Sequence, residues 1–101
     1  MYVRDFISNE FNVTIKKTYP DNYSVVFTDN KDIFFGLDPK KAEKFFVDLG
    51  YEEAKILCYV QTKNHCFATI EFCSEAEATD SFEKIVNLFK EKVKQLQDKE
   101  Q

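Results

Sequence analysis

Apolar positions along the 101 residues recur at two spacings, and the switches between them divide the chain into elements. The clearest segment runs from His65 to Phe72, where Cys66, Ala68, Ile70 and Phe72 alternate with His65, Phe67, Thr69 and Glu71. A period of two predicts a strand with one buried and one wet face. Directly after it, Ser74 and Glu77 have the spacing of a capping box, and Phe82, Ile85, Val86, Phe89, Val93 and Leu96 recur at helical intervals. The strand therefore feeds a long amphipathic helix, which is expected to outrun the domain and fray over residues 90–101.

Upstream, Val3, Phe6 and Ile7 stand at i, i+3 and i+4 within Tyr2 to Asn9, which predicts a short N-terminal helix. Phe11, Val13 and Ile15 then alternate with Asn12, Thr14 and Lys16 as a half-buried strand. Tyr19-Pro20-Asp21-Asn22 is turn chemistry, and the chain returns through Tyr23, Val25 and Phe27. A second turn at Asp29-Asn30-Lys31 predicts a third strand, Ile33 to Phe35, with Phe27 facing Ile33 and Val25 facing Phe35. Asp38 and Pro39 suit the N-cap and first position of a helix whose buried stripe is Ala42, Phe45, Phe46 and Leu49, and Gly50 suits its left-handed end. Ala54 to Gln61 alternates as a fourth strand. A turn at Thr62-Lys63-Asn64 joins it to the fifth and puts Tyr59 beside Phe67.

The predicted order, α-β-β-β-α-β-β-α, describes one α+β domain over residues 1–101. Ile33 to Phe35, the first long helix and Ala54 to Gln61 form a crossover, with the last strand inserted between the other two. The result is a five-stranded antiparallel sheet in the order 1-2-3-5-4 with two long helices on one face. The N-terminal helix is the element left to fold across the other. By parity that open face gathers Phe34, Leu57, Tyr59 and Phe67 at its centre, and an exposed apolar cluster of this kind marks a partner surface.

Composition narrows the chemistry. Eleven Phe and no Trp imply a Phe-rich core, and a net charge of -4 with pI near 5.0 opposes nonspecific attraction to a phosphate backbone. Met1-Tyr2-Val3-Arg4-Asp5 is too charged for a signal peptide, and no apolar run approaches the roughly 18 residues of a membrane span. A soluble cytosolic protein without membrane association is expected. Cys58, Cys66 and Cys73 are odd in number and not in CxxC spacing, so they read as small hydrophobes in a reducing compartment. Zinc held by Cys58, His65, Cys66 and Cys73 would need ligands from both sheet faces to converge, and two glycines cannot build a phosphate-cradling loop. His65 reads as a surface residue. No catalytic residue, cofactor or metal is expected.

From Ile33 to Leu88 the chain resembles an RNA recognition motif. Ile33-Phe34-Phe35-Gly36-Leu37 is similar to the first strand motif of that family, and His65-Cys66-Phe67-Ala68-Thr69-Ile70-Glu71-Phe72 to its second. The resemblance implies that Phe34 and Phe67 stack on the bases of single-stranded RNA. Relative to the family octet, His65 replaces a basic residue, Cys66 a glycine and Thr69 the second stacking aromatic.

The leading expectation is a non-catalytic module that binds a protein. Its apolar contact is Phe34, Leu57, Tyr59 and Phe67, with Asp29 and Asp32 as an acidic steering rim. Acidic, motif-free domains of this length resemble, in general profile, phage or mobile-element inhibitors such as anti-CRISPR proteins, so a nucleic-acid-binding host nuclease is the partner class this suggests. RNA binding by the same face is the alternative, and a homodimer joined by an edge strand, Phe11 to Lys16 or Ala54 to Gln61, is a third; the oligomeric state, monomer or homodimer, stays open.

Overall fold

The computed structural model describes residues 2–18, 20–61 and 65–99. Along them the chain forms β1 (Tyr2–Ile7), β2 (Phe11–Thr18), β3 (Asn22–Asp29), α1 (Pro39–Asp48), a 3-10 turn (Glu53–Lys55), β4 (Ile56–Val60), β5 (Cys66–Phe72) and α2 (Glu75–Lys99). The five strands make one sheet in the order β1-β2-β3-β5-β4, antiparallel at every pair. Since β5 lies antiparallel between β3 and β4, those two strands run parallel, and α1 carries the chain from one to the other.

Alternation decides which face of the sheet is buried. Phe11, Val13 and Ile15 of β2, Val25 and Phe27 of β3, and Cys66, Ala68 and Ile70 of β5 are almost completely enclosed, while most of the intervening positions keep part of their surface. The buried positions meet α2, which packs on β2 and β3, and α1, which packs on β4 and β5. Both helices therefore cover the same side. Phe27 and Phe89 form the centre of the core, their ring centroids 4.3 Å apart, with Phe11, Phe35 and Phe46 around them. Each buried Phe contributes roughly 1.5–3 kcal/mol relative to solvent exposure, so these rings are the main source of cohesion.

The helix ends follow from their capping residues. The Asp38 carboxylate accepts from the Lys40 and Lys41 amides at 3.1 and 3.3 Å, and Pro39 occupies the first turn. At the other end Gly50 adopts φ +107; its N–H donates to Val47 O and that of Tyr51 to Phe46 O, the pattern of a Schellman motif. Ser74 Oγ accepts from the Glu77 amide at 3.4 Å, so one of the two bonds of the expected capping box is made.

Two expected elements are corrected. Tyr2 to Asn9 is not a helix: Tyr2–Ile7 is an edge strand paired to β2, so no N-terminal helix folds across the open face. Two features hide the strand: Phe6 and Ile7 are adjacent apolar residues on opposite faces, and the register shifts between Tyr2 and Arg4, where Tyr2 pairs with Lys16 but Arg4 with Ile15. A residue inserted into an alternating strand breaks its period, and the apolar spacing then imitates a helical turn. Tertiary contacts hold the strand in place: Arg4 Nη1 lies 3.0 Å from Glu83 Oε1 and its guanidinium 5.0 Å from the Phe82 ring, while Lys90 Nζ lies 4.8 Å from the ring of Phe6.

Ile33 to Phe35 is likewise no strand but part of the irregular connection between β3 and α1. Phe27 pairs with Val13 and Ala68, and Val25 with Ile15 and Ile70, so the expected partners Ile33 and Phe35 are displaced. The expected sheet order survives in its numbering because Tyr2–Ile7 enters as a strand at one edge while Ile33 to Phe35 drops out. The fourth strand is shorter than Ala54 to Gln61, beginning at Ile56 after the 3-10 turn. Tyr19 and the turn Thr62-Lys63-Asn64 lie outside the described residues. α2 is continuous through Lys99, beyond the Lys90 point where fraying was expected to begin.

Candidate protein-docking face

With both helices on one side, cross-strand register fixes what the other side presents. One row runs Ile7, Asn12, Thr28, Phe67, Tyr59 from edge to edge. The next runs Asp5, Thr14, Val26, Thr69, Leu57, and a third includes Lys16, Ser24 and Glu71. No described element covers these rows. Leu57 is 63% exposed and Tyr59 39%.

Tyr59 and Phe67 are direct cross-strand partners and stack with ring centroids 5.3 Å apart at 11°. Leu57 neighbours them in the second row, opposite Thr69. At the far edge Ile7 is 63% exposed, so the face carries apolar residues at both margins with β-branched residues between them. Its rows carry few charges, Asp5 and Glu71 against Lys16, while Lys55 in the 3-10 turn before β4 lies 4.0 Å from Glu52. Glu71 is held by a 2.7 Å bond donated by the Ser24 hydroxyl. A surface with exposed apolar residues and no excess of positive charge suits a protein better than a polyanion.

Of the expected contact residues, Leu57, Tyr59 and Phe67 come together here and Phe34 does not. Phe34 lies on the opposite side of the sheet, edge-on to Phe89 at 4.9 Å and also against Phe11 and Phe27. The pair of stacking rings that the RNA recognition motif implies is therefore split between the two faces. Asp29 is corrected too, since it is completely enclosed and cannot steer a partner. Its Oδ1 accepts from the Ile33 amide at 3.0 Å and its Oδ2 from those of Phe34 and Phe35 at 3.0 and 2.9 Å. A buried carboxylate with three main-chain donors is a structural clamp on the loop. Asp32 remains at the surface, its Oδ1 3.3 Å from His65 Nδ1.

Ile7 and Asp5 were not anticipated on this face, because from Arg4 to Ile7 each face of β1 carries one charged and one apolar residue and no alternation shows. Their one sequence signal is that Tyr2–Ile7 carries several β-formers in six residues. Cys58 and Cys66 are poor nucleophiles: burial pushes the Cys58 thiol up to about 12, with Cys66 and the Glu43 carboxylate adding to it. Burial and then the carboxylates of Asp29, Asp38 and Asp32 push Cys66 up to about 11. Among the described residues no three His, Cys, Asp or Glu side chains gather as a metal site, and no helix is long and apolar enough to cross a membrane. On the helix side Phe34, Phe35, Phe45 and Phe89, with Lys41 and Lys92, line a depression of about 230 Å³.

No family model matches the chain, and neither does any curated protein or solved structure.

Proposed function

We propose that this protein is a non-catalytic module that docks a partner protein on the uncovered face of its sheet, with Leu57, Tyr59 and Phe67 as the apolar anchor. The observation that carries the reading is the stacked Tyr59–Phe67 pair standing beside a Leu57 that is 63% exposed. A cross-strand aromatic pair at the surface returns only about 1 kcal/mol or less within the chain, whereas two stacked aromatics beside an exposed aliphatic neighbour are the composition of an interface hot spot. The lack of excess positive charge on the face supports a protein in preference to RNA, as does the placement of Phe34 on the far side. The acidic total of -4 makes a nucleic-acid-binding protein, such as a host nuclease blocked by a phage or mobile-element inhibitor, the first target class to try. Asp32, at the sheet end near His65, is the steering residue of that reading.

The test is capture from nuclease-treated lysate with wild-type protein and with Phe67→Ala and Leu57→Asp variants, whose folding is checked by circular dichroism. The reading expects one protein retained by the wild type and released by both variants. Saturable, salt-sensitive binding of labelled single-stranded RNA that is lost in Phe67→Ala overturns it.

A further inference from the structure

The two edges of the sheet are built differently. β1 carries Arg4 and Asp5 and a shifted register, devices that discourage another strand from adding to an edge. β4 has none of these. Its sequence, Ile56-Leu57-Cys58-Tyr59-Val60, contains no charge and no proline, and its register with β5 is unbroken. No described strand pairs with its outer side, so a row of main-chain donors and acceptors faces outward between apolar side chains.

We propose that β4 pairs antiparallel with β4 of a second copy of this chain, across a two-fold axis at Cys58. This inference rests on the edge and does not depend on the docking reading above. An antiparallel two-fold pair must centre on one residue meeting itself, and Cys58, the middle of the five-residue strand, gives full overlap. Leu57 then stands opposite Tyr59 of the second copy on the open face, twice over. Ile56 stands opposite Val60 on the helix side, also twice. The most exposed side chain of the strand, Leu57, thereby gains an aromatic partner.

Charge points to the same occupant. The flank of α1 beside this edge carries Lys40, Glu43, Lys44 and Val47 around an open groove shared with Glu53, and Glu43 lies near enough to Cys58 to raise its pKa. Lys40 and Lys44 stand with Glu43 and Glu53 around this groove, Lys44 also 3.4 Å from Asp48 of its own helix, so the flank holds both signs, and in the proposed dimer a two-fold operation that reverses α1 would set Glu43 against Lys44 of the copy. A five-residue strand pair is smaller than the roughly 800 Å² per partner of standard interfaces, so the association is concentration-dependent rather than permanent. The resulting dimer would join two sheets edge to edge and double the Leu57, Tyr59 and Phe67 cluster about its axis.

Sedimentation equilibrium from about 1 µM to about 1 mM tests this, with amide hydrogen exchange at both ends of the range. A rise from one to two chain masses is expected, with slowed exchange in β4 and unchanged exchange in β1. Leu57→Lys removes two cross-strand apolar pairs and weakens association about tenfold or more. Glu43→Lys also weakens it, and Lys44→Glu added to Glu43→Lys restores it. A single chain mass throughout overturns the proposal, and so does a dimer protected at β1 or one indifferent to both Leu57→Lys and Glu43→Lys.

Discussion

The carboxylate of Asp29 accepts the main-chain N–H of Phe35 at 2.9 Å, and both residues are sealed from water. Asp29 ends β3, and the two further bonds it takes from Ile33 and Phe34 turn the chain so that Phe34 and Phe35 enter the space between the two helices. Asp29→Asn replaces an acceptor with an amide donor facing other donors. The expected loss is about 3 kcal/mol of stability, or a fall of roughly 10–20 °C in Tm for a chain of this size. Asp32→Asn, at the surface and in a left-handed conformation that Asn tolerates, stays within about 0.5 kcal/mol of wild type. Thermal unfolding of the two variants side by side checks the contrast, and equal losses would remove the clamp role from Asp29.

The two sides of the sheet predict opposite responses to truncation of a Phe. Phe89→Ala empties the centre of the core, where the ring meets Phe27 at 4.3 Å, and costs about 3–5 kcal/mol. Phe67→Ala removes one cross-strand aromatic contact at the surface and costs about 1 kcal/mol or less. Phe34→Ala follows the core pattern at about 2 kcal/mol and leaves partner capture unchanged, because its ring contacts lie on the helix side. Urea titrations of all three, paired with the capture assay, decide on which face each ring acts.

Most of this architecture was legible where one local signal was uninterrupted. The alternation of Cys66–Phe72, the Asp38-Pro39 helix start and Gly50 at the helix end each specify their element without help from the rest of the chain. Tyr59 beside Phe67 followed from matching buried positions across a hairpin. The signal failed where tertiary structure decides the outcome. The shifted register in β1 scrambles its period, and Ile33-Phe34-Phe35 has the composition of a strand but is bound by a side chain, Asp29, instead of a neighbouring ladder. Parity then placed Phe34 on the wrong face, and reading Asp29 as part of a turn and an acidic rim placed it at the surface. A buried acid at a strand end just before a short aromatic run is the pattern that would have corrected both.

Gly50 supplies a further test. It lies at φ +107 just past α1, where a Cβ would meet nothing within 4 Å, so the cost of substitution is conformational and not a clash. Gly50→Ala is expected to lose about 1–2 kcal/mol through the left-handed backbone alone. Gly50→Asn, a residue more tolerant of that region, recovers part of the loss. Denaturant midpoints in the order glycine, asparagine, alanine check this, and alanine equal to glycine would mean that the helix end has relaxed to another cap.

Half-buried Cys58 and buried Cys66 make stability fall on the alkaline side. In the unfolded chain Cys58 and Cys66 lose their protons near the ordinary value of 9.0, whereas in the folded protein burial holds them up to about 12 and about 11. Between pH 9 and about 11 the folded state therefore binds more protons than the unfolded state, and the unfolding free energy falls as pH rises. Below pH 9 both states are protonated at these sites and their contribution is constant. The urea midpoint is expected to decline across the pH 9–11 window more steeply in wild type than in a Cys58→Ala, Cys66→Ala double variant, whatever the double variant's absolute stability. Alkylation reads the same property directly. At pH 8 the exposed Cys73 is expected to react first, while half-buried Cys58 and buried Cys66 react at least about a hundredfold more slowly because they remain protonated and shielded. Three thiols reacting together, or parallel midpoint curves for the two proteins, would show that these side chains are solvated in the folded state and that the packing of β4 and β5 under α1 is looser than described.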